Sequence, residues 1–279
     1  MNNIYDPAIN KCTGCQFCSA VCPAGAISIV LDEDGFYSPY LNEKKCLHCG
    51  ICKQNCYKFD ENFKPTSSDS VQVYACQTKD KELLFTSSSG GIATHIAKTC
   101  IKQGYKILGV CYDTDSDIAV TCIAKSEEEL EAFKGSKYIQ SYTSEAFKEL
   151  LTDKTEQKYA IFGTPCQIYA INNYINKKNQ RDRFLLIDIF CHGCPSLYLW
   201  KKYVQSVKQK MQIDKFDHVE FRSKIRGWHE FCHEFKKGSI TYKSKKHQDP
   251  FFSLFFDDNI LCEACYNCKV RSTLAYTDI

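Results

Sequence analysis

Hydrophobic and polar residues follow two different patterns along the chain, and the change falls near residue 70. Before it, clear alternation is confined to residues 26–41, around an Asp-Glu-Asp-Gly segment, which predicts a β-hairpin. After it, runs of strand length alternate with runs at helical spacing. The predicted strands are 71–78, 105–113, 158–163 and 183–190, and the predicted helices are 91–104, 165–178, 195–211 and a segment opened by a capping box at Ser126. This order predicts an α/β body around a sheet with substantial parallel content.

A polar stretch without periodicity separates the two patterns. Residues 60–70 read DENFKPTSSDS and contain Pro65, which predicts a linker. We therefore expect a small domain over residues 1–60, a linker over 61–70 and a larger domain over 71–279. The expected fold class is α+β, because a small unit of short elements precedes the α/β body.

Composition and charge exclude several classes of protein. The chain has 279 residues, of which 44% are hydrophobic, enough for an ordinary buried core. Its 36 basic and 33 acidic residues balance too closely for a whole-chain nucleic-acid binder. No run approaches the ~20 apolar residues of a membrane span, and the first residues do not resemble a signal peptide. We expect a cytoplasmic protein that binds no nucleic acid and has no membrane span; its oligomeric state is not predicted.

Cysteine is the exceptional residue, with 19 copies in the chain. Disulfides do not persist in a reducing compartment, so this enrichment indicates metal ligation. Four cysteines fall within predicted strands or helices and are interpreted as small core residues, as is Cys232 in an aromatic strand. These four are Cys76, Cys100, Cys111 and Cys122.

Eight cysteines form a duplicated run, C-x2-C-x2-C-x3-C, in which Pro23 follows the first copy and Tyr57 the second. This is the pattern of a bacterial two-cluster ferredoxin, in which the fourth cysteine of each run ligates the other cluster. One predicted [4Fe-4S] cluster is held by Cys12, Cys15, Cys18 and Cys56, and the other by Cys46, Cys49, Cys52 and Cys22. A zinc ribbon or unligated thiols are the alternatives, but a third cysteine in each run has no use at a tetrahedral zinc ion.

Two motifs of the body lie where a predicted helix begins. The loop SSSGG at residues 87–91 favours an anion such as a nucleotide phosphate, or else only caps its helix. Thr164 suits the N-cap and Pro165 the first helical position, which places Cys166 in the first turn, where the dipole favours a thiolate. That thiolate would be a cluster ligand or a nucleophile, unless Cys166 is only a small buried residue.

Two further motifs combine cysteine with other functional groups. The segment DIFCHGCPS, residues 188–196, ends a hydrophobic strand, and its His192 is either a functional residue or an ordinary loop histidine. We take Cys166 and His192 as the candidate catalytic residues. A late C-x2-C-x2-C triplet predicts a third [4Fe-4S] cluster in preference to zinc or free thiols, with Cys166 or Cys191 as the fourth ligand. The triplet consists of Cys262, Cys265 and Cys268.

Five ordered blocks from about residue 70 onward resemble the family of coenzyme F-420 hydrogenase/dehydrogenase beta subunits, here preceded by a ferredoxin domain. The blocks are SSSGGI, GSKYIQS, FGTPCQI, DIFCHGCPS, and CEACYNC with the later YTDI. The resemblance implies an α/β flavin- and cluster-binding body and an oxidoreductase that binds FAD. It would move electrons between a small-molecule hydride carrier, deazaflavin or other, and [4Fe-4S] clusters, with a redox partner protein or subunit.

The same resemblance assigns roles to individual residues. The flavin-contacting positions are Ser87, Ser88, Ser89, Gly90, Gly91, Lys137 and Tyr138, and the family's cysteine positions are Cys166, Cys191, Cys262, Cys265 and Cys268. Cys194 departs from the family, which more often has an apolar residue there. The chain also stops at Ile279, where members usually continue, so we expect a truncated copy. A non-catalytic electron-transfer subunit is the main alternative function, and a zinc-stapled interaction protein is a more distant one.

Overall fold

The N-terminal domain is built on a hairpin with one turn of helix in each cysteine run. The computed structural model describes residues 1–6, 11–61, 63, 72–245, 248–270 and 278–279. Strand β1, Ile27–Leu31, pairs antiparallel with β2, Tyr37–Leu41, which confirms the predicted hairpin. Helices α1, Phe17–Ala20, and α2, Ile51–Gln54, each carry the third cysteine of a run, and a 3-10 turn follows at Tyr57–Phe59. Most of the predicted linker, residues 62 and 64–70, lies outside the described residues.

A five-stranded mixed sheet organises the body. Its strands are β3 Lys106–Asp113, β4 Ile118–Ala124, β5 Ser141–Tyr142, β6 Tyr159–Gly163 and β7 Phe184–Asp188, in the spatial order β5-β4-β3-β6-β7. The β3–β4 pair is antiparallel and the other three pairs are parallel, which confirms the predicted parallel content. The helices around it are α3 Lys81–Thr86, α4 Ile92–Lys102, α5 Ser144–Thr152, α6 Pro165–Lys177 and α7 Leu197–Met211.

Helices cover both faces of this sheet because its central strands are apolar on both sides. Along β6 and β7, Ile161 and Leu186 join the core formed with α1, α5 and α6. Their neighbours Ala160 and Ile187 point to the other face and join the core formed with α4. The N-terminal domain thus shares a hydrophobic core with the body through α1.

A second, antiparallel sheet carries an aromatic core. It consists of β8 His218–Glu220, β9 Glu234–Lys237 and β10 Ile240–Lys243, and the helices α8 Pro250–Phe256 and α9 Glu263–Tyr266 follow. Trp200 of α7 is fully buried and stacks on Phe221 with 4.4 Å between ring centroids. Within the described ranges, no helix is both long and apolar enough to cross a membrane.

Three local predictions are wrong. Residues 72–78 form no strand, because residues 72–77 are exposed and Thr78 makes a single backbone bond, to the Gly90 carbonyl at 2.7 Å. The segment after Ser126 is capped as expected, but it forms a 3-10 helix, Glu129–Phe133, rather than an α-helix. Among the cysteines assigned to the core, Cys100 and Cys232 are buried, whereas Cys76 is exposed and the remaining two are half-buried.

Two buried glutamines join the N-terminal domain to the body. The Gln16 amide accepts two backbone N–H bonds from residues 141–144, at 2.7 and 3.0 Å, and donates to a carbonyl of the same segment at 2.7 Å. Gln140 makes the reciprocal contact, accepting from the Tyr37 N–H at 2.8 Å and donating to the Thr13 carbonyl at 3.1 Å. Since both amides are buried and paired with backbone, they fix the orientation of the first cysteine run on the body.

Asp249 is a buried charge that holds three elements of the aromatic core together. One carboxylate oxygen caps α8 by accepting from the Phe251 and Phe252 N–H groups, both at 3.0 Å. The other accepts from the Tyr203 hydroxyl at 2.7 Å and contacts His233 Nδ1 at 2.8 Å. Burial alone would raise the pKa of this carboxyl, but hydrogen bonds from His233 and Ser244 lower the pKa to about 2.

We predict that Asp249→Ala destabilises the body by about 3–5 kcal/mol, because it leaves buried partners without their acceptor. Chemical unfolding monitored by tryptophan fluorescence measures this, since Trp200 packs against His233. Asp257→Ala, at an exposed carboxylate one residue beyond α8, is the matched control and should change the stability by less than about 0.5 kcal/mol. Equal shifts for the two variants would contradict the role given to Asp249.

Candidate functional site

Two cavities in the N-terminal domain divide the cysteines of the two runs between them. The larger encloses about 440 Å³, part of it open to solvent, and the smaller about 330 Å³. Cys12, Cys15, Cys18 and Cys56 line the larger one; Cys22, Cys46 and Cys49 line the smaller one, and Cys52 touches both. The fourth cysteine of each run therefore faces the cavity of the other run. This is the grouping of the crossed assignment, which itself stays a prediction.

The two runs share a backbone conformation that turns amides toward sulfur. Gly14 and Gln16 have positive φ, and His48 and Gly50 have positive φ at the equivalent positions of the second run. In each run the amide two residues after the first cysteine donates to that cysteine, Gly14 N–H to Cys12 Sγ at 3.3 Å and His48 N–H to Cys46 Sγ at 3.4 Å. His48 therefore contributes through its backbone. Such amides stabilise thiolates and raise the potential of a bound cluster.

The larger cavity holds thiols that burial keeps from ionising without metal. Burial, with a smaller contribution from Cys15, raises the pKa of Cys12 to about 12, and burial raises the pKa of Cys56 as well. Four thiol donors that line one cavity fit a multi-atom cluster, whose positive iron ions would supply the charge that deprotonates them. Within the described ranges, no three His, Cys, Asp or Glu side chains converge on one single-ion position.

A second group of six cysteines, all from the body, contacts the first cysteine run. It contains the late triplet, Cys166 and the two cysteines of residues 188–196. Cys262 donates to the Cys12 carbonyl at 3.3 Å, and Cys166 interacts electrostatically with Cys15, Cys191 and Cys268. The members of this body cysteine group are Cys166, Cys191, Cys194, Cys262, Cys265 and Cys268. The family resemblance gives five of them as cysteine positions and leaves Cys194 as an additional ligand or nucleophile; in the structure Cys194 hydrogen-bonds to Cys265.

Two loops far apart in sequence are held together to make this group. A bridge pairs Pro195 with Leu261, and the Cys262 N–H donates to the Cys194 carbonyl at 2.8 Å. Gly193 has a φ of +139°, and a Cβ there would stand 2.9 Å from Leu261 Cδ1 and 3.2 Å from Cys265 Cβ. The close approach of the two loops therefore requires glycine at position 193.

Cys166 lies where the sequence predicts, but its environment differs from the expected one. Thr164 is the N-cap of α6 in a full capping box with Gln167, and Pro165 is the first helical residue. Burial raises the pKa of Cys166 well above its usual value, and the nearby Cys15 raises it further. Desolvation thus opposes the effect of the helix end on this thiol. A buried neutral thiol suits a metal ligand better than a metal-free nucleophile.

Tyr57 connects the two cysteine groups, although no cysteine spacing predicts this role. It follows Cys56 of the larger cavity and is buried. Its hydroxyl donates to Cys268 Sγ at 3.7 Å, and its ring packs edge-to-face on Tyr169 of α6. The one visible signal is that Tyr57 occupies the position that proline holds after the first run.

His192 sits at the edge of the body cysteine group. Its Nε2 lies 2.7 Å from a carboxylate oxygen of Asp258, and its ring packs on Phe255 with 4.8 Å between centroids. The side chain is exposed. It is thus oriented by the end of α8, while its catalytic role stays a prediction.

The serine-glycine loop and the Lys137–Tyr138 segment come together on the other side of the body. The Ser136 N–H donates to Ser88 Oγ at 2.7 Å, which joins the two segments that the family resemblance assigns to a flavin. Gly91 has a φ of +77° and precedes α4 without a side-chain cap, so the first amides of α4 remain available. A Cβ on Gly90 would stand 2.6 Å from the Cys76 carbonyl, so the loop needs glycine there.

Two basic residues that the sequence prediction missed border this loop. Lys224 Nζ donates to the Leu84 and Ser89 carbonyls, both at 2.6 Å. Arg222 lies over the Phe231 ring, 4.2 Å from its centroid, with a weak bond to the Tyr138 hydroxyl at 3.5 Å. Its Nε is buried and has no hydrogen-bond partner among the described residues. Basic side chains, an unpaired donor and free helix amides are the donor set that an anionic cofactor needs.

Comparison with known protein families decides the identity of the two parts. The C-terminal model of the coenzyme F420 hydrogenase/dehydrogenase beta subunit matches residues 156–279, and the N-terminal model of the same subunit matches residues 73–148. The chain belongs to this family. Residues 11–58 match a 4Fe-4S dicluster domain, so the predicted iron-sulfur domain ahead of the family body is confirmed.

Curated relatives come from Methanosarcina and Methanocaldococcus. One subunit of the F(420)H(2) dehydrogenase of Methanosarcina mazei is 23% identical over 185 residues, covering 63% of this chain and 51% of that protein. An uncharacterized protein of Methanocaldococcus jannaschii is 25% identical over 196 residues, with 61% and 54% covered. An uncharacterized ferredoxin of the same organism is 32% identical over 71 residues, covering 25% of this chain and 80% of the ferredoxin. The chain spans about half the length of the first two relatives.

A solved structure also shows a partial likeness to the chain. It is the xenon-derivatized F420-reducing [NiFe] hydrogenase complex from Methanosarcina barkeri, with 19% identity, 62% of this chain and 61% of that chain covered, and a TM-score of 0.42. At that score the likeness supports no structural argument.

We predict that Tyr57→Phe makes the reduction potential of a cluster held by the body cysteine group more negative by roughly 40 mV. The hydroxyl donates to Cys268, and a net hydrogen bond of about 1 kcal/mol corresponds to that shift for one electron. Potentiometric titration followed by electron paramagnetic resonance measures it.

Tyr5→Phe is the matched control, because it removes a hydroxyl that accepts the Leu41 N–H in the N-terminal domain. We expect it to leave this potential unchanged. A Tyr57→Phe protein that keeps its iron and shows the wild-type potential would contradict the contact with Cys268.

Proposed function

We propose that the protein is an iron-sulfur flavoprotein oxidoreductase that transfers electrons between a small-molecule hydride carrier and [4Fe-4S] clusters by way of FAD. Its family membership and dicluster domain support the general class of redox subunit. The observation that carries the proposal is the contact of the body cysteine group with the first cysteine run, where Cys262 bonds to the Cys12 carbonyl at 3.3 Å. An array of adjoining thiol sites is the arrangement that stepwise electron transfer needs.

The chain's own residues place the adjoining thiol sites in a series. Cys52 borders both cavities of the N-terminal domain, and the body cysteine group contacts the first cysteine run through Cys262, which bonds to the Cys12 carbonyl. Tyr57 follows Cys56 in the chain and donates its hydroxyl to Cys268. Gln16 and Gln140 fix the orientation of the N-terminal domain on the body. Four ligands from the body cysteine group would hold the third [4Fe-4S] cluster, the triplet with Cys166 or Cys191 being the predicted set.

The residues that would hold FAD are those of the serine-glycine loop and its neighbours. Ser88 and Lys137 belong to the two joined segments, and Lys224 and Arg222 add positive charge beside them. When bound, a flavin supplies exchange between two-electron hydride chemistry and single-electron transfer. The amides at the start of α4 and the basic side chains would bind and orient its phosphates.

The carrier and the partner are inferred from the relatives. The name of the Methanosarcina mazei relative, an F(420)H(2) dehydrogenase component, makes a reduced deazaflavin one candidate carrier. The N-terminal clusters would then face a redox partner protein or subunit. A non-catalytic electron-transfer subunit is the alternative, and it would contain the clusters without a flavin.

We predict that Cys268→Ser lowers the iron content from about 12 to about 8 atoms per chain, because one of three [4Fe-4S] clusters loses a ligand. Iron and acid-labile sulfide measured after anaerobic purification give the count. Cys100→Ser is the matched control: this thiol lies on α4, is buried in the core and does not belong to the body cysteine group, and its loss should leave the iron content unchanged. Equal iron in all three proteins would remove the third cluster from the proposal.

We predict that Lys224→Met lowers the flavin content of the purified protein at least several-fold, because it removes a positive charge beside the serine-glycine loop. Flavin released by denaturation and identified by its absorption measures this. Lys201→Met, on the exposed face of α7, is the control and should retain the wild-type flavin content.

Titration of the anaerobic protein with candidate reduced carriers tests the whole proposal. Bleaching of flavin and clusters by one carrier would identify the carrier class. A protein that contains iron but releases no flavin, and that no hydride carrier reduces, would instead be the electron-transfer subunit of the alternative.

A further inference from the structure

Two thiols on the central sheet belong to neither cysteine group. Cys111 of β3 and Cys122 of β4 lie with their sulfur atoms 2.8 Å apart, and both are half-buried. The sequence prediction interpreted them as separate core residues. The structure instead shows a dithiol at the border between the core and solvent.

Strand register and a glycine produce this contact. Cys111 is opposite Val120 and Cys122 is opposite Gly109, so the two cysteines are diagonal neighbours on the same face of the antiparallel pair. Gly109 contributes no side chain there, and a Cβ would collide with the ring of Phe133. The Phe133 ring therefore packs directly over Gly109, and both sulfur atoms contact the Val120 carbonyl, at 3.4 and 3.7 Å.

A lysine ammonium stands beside the dithiol. Lys137 Nζ donates to the Ala132 and Lys134 carbonyls, at 3.1 and 2.9 Å, and these bonds hold it near the sulfur atoms. The hydrogen bond from Cys122, and then the Lys137 charge, lower the pKa of Cys111 to about 7, whereas the same hydrogen bond raises the pKa of Cys122. Asp113, on the same strand, opposes this effect on Cys111. One thiolate shared between two sulfur atoms is the reactive form of a dithiol.

We propose that Cys111 and Cys122 form a redox-active dithiol that reduces low-molecular-weight disulfides, with Cys111 as the attacking thiolate and Cys122 as the resolving thiol. Their sulfur atoms need to approach by only roughly 0.8 Å to reach the length of a disulfide bond. This site needs neither the flavin nor the iron-sulfur clusters.

The reaction is a balanced exchange of two electrons. Cys111 attacks one sulfur of the external disulfide, whose S–S bond breaks as a mixed disulfide forms and the first small thiol leaves with a proton. Cys122 then attacks Cys111 Sγ, which forms the protein disulfide and releases the second small thiol. The dithiol is oxidised and the external disulfide is reduced to two thiols; one of their protons comes from Cys122 and the other from water, because Cys111 attacks as the thiolate.

The tryptic cleavage sites, which follow lysine and arginine, allow a direct test of this proposal. Cys111 and Cys122 lie on one tryptic peptide, residues 107–125, because no lysine or arginine intervenes. The whole metal-loaded protein is mixed with 2-hydroxyethyl disulfide at pH 7 without oxygen, quenched with acid, alkylated and digested. In the wild type we expect peptide 107–125 to lose two hydrogen atoms and to take up no alkyl group.

Two variants assign the roles. Cys122→Ser should trap one hydroxyethylthio group on Cys111, and Cys111→Ser should leave Cys122 free for alkylation. The exposed single thiol of Cys76 is the internal reference, and we expect the adduct at Cys111 to form about fivefold faster, since a pKa near the working pH favours attack. Retention of the iron-sulfur absorption shows that each variant is folded.

Three results would overturn the proposal. The first is a wild-type peptide 107–125 that takes up two alkyl groups while Cys76 carries the adduct. The second is an adduct on Cys122 in Cys111→Ser together with none on Cys111 in Cys122→Ser, which would reverse the two roles. The third is reaction at Cys111 no faster than at Cys76.

Discussion

The reciprocal contact of Gln16 and Gln140 is the interaction that sets the arrangement of the molecule. Each amide is buried and bonds to the backbone of the opposite domain, so neither can be removed without leaving unpaired polar groups. This contact orients the first cysteine run on the body, where Cys12 meets Cys262. It acts together with the hydrophobic core that α1 shares with the body.

Metal binding and folding are coupled in this arrangement. The thiols that line the larger cavity are buried, and burial raises the pKa of Cys12, Cys18 and Cys56. They are stable as neutral thiols or as ligands of a positive cluster, and not as free thiolates. The cavities between them are therefore parts of the fold that a cluster would complete, which is usual for small domains with few core residues.

The mixed sheet explains how one body offers sites of different chemistry. The body cysteine group lies in the loop between β7 and α7, at the start of α6, and around α9. The serine-glycine loop precedes α4, which packs on the other face of the sheet. The dithiol sits on the antiparallel β3–β4 pair, where cross-strand neighbours come close enough for their sulfur atoms to touch. Loops, helix ends and strand register thus place the body cysteine group, the serine-glycine loop and the dithiol at different positions on one body.

Features that depend on short-range spacing could be predicted from the order of residues. Cysteine intervals predicted the iron-sulfur domain, Thr164 and Pro165 predicted the start of α6, and apolar runs predicted β3, β6 and β7. The prediction of a strand over residues 71–78 was wrong because β propensity alone does not supply a partner strand. Within the described residues, this segment pairs with no strand. That Tyr57 reaches Cys268 and that Cys111 meets Cys122 became visible only in the folded chain. These contacts depend on how distant segments pack and on strand register, and local residue spacing encodes neither directly.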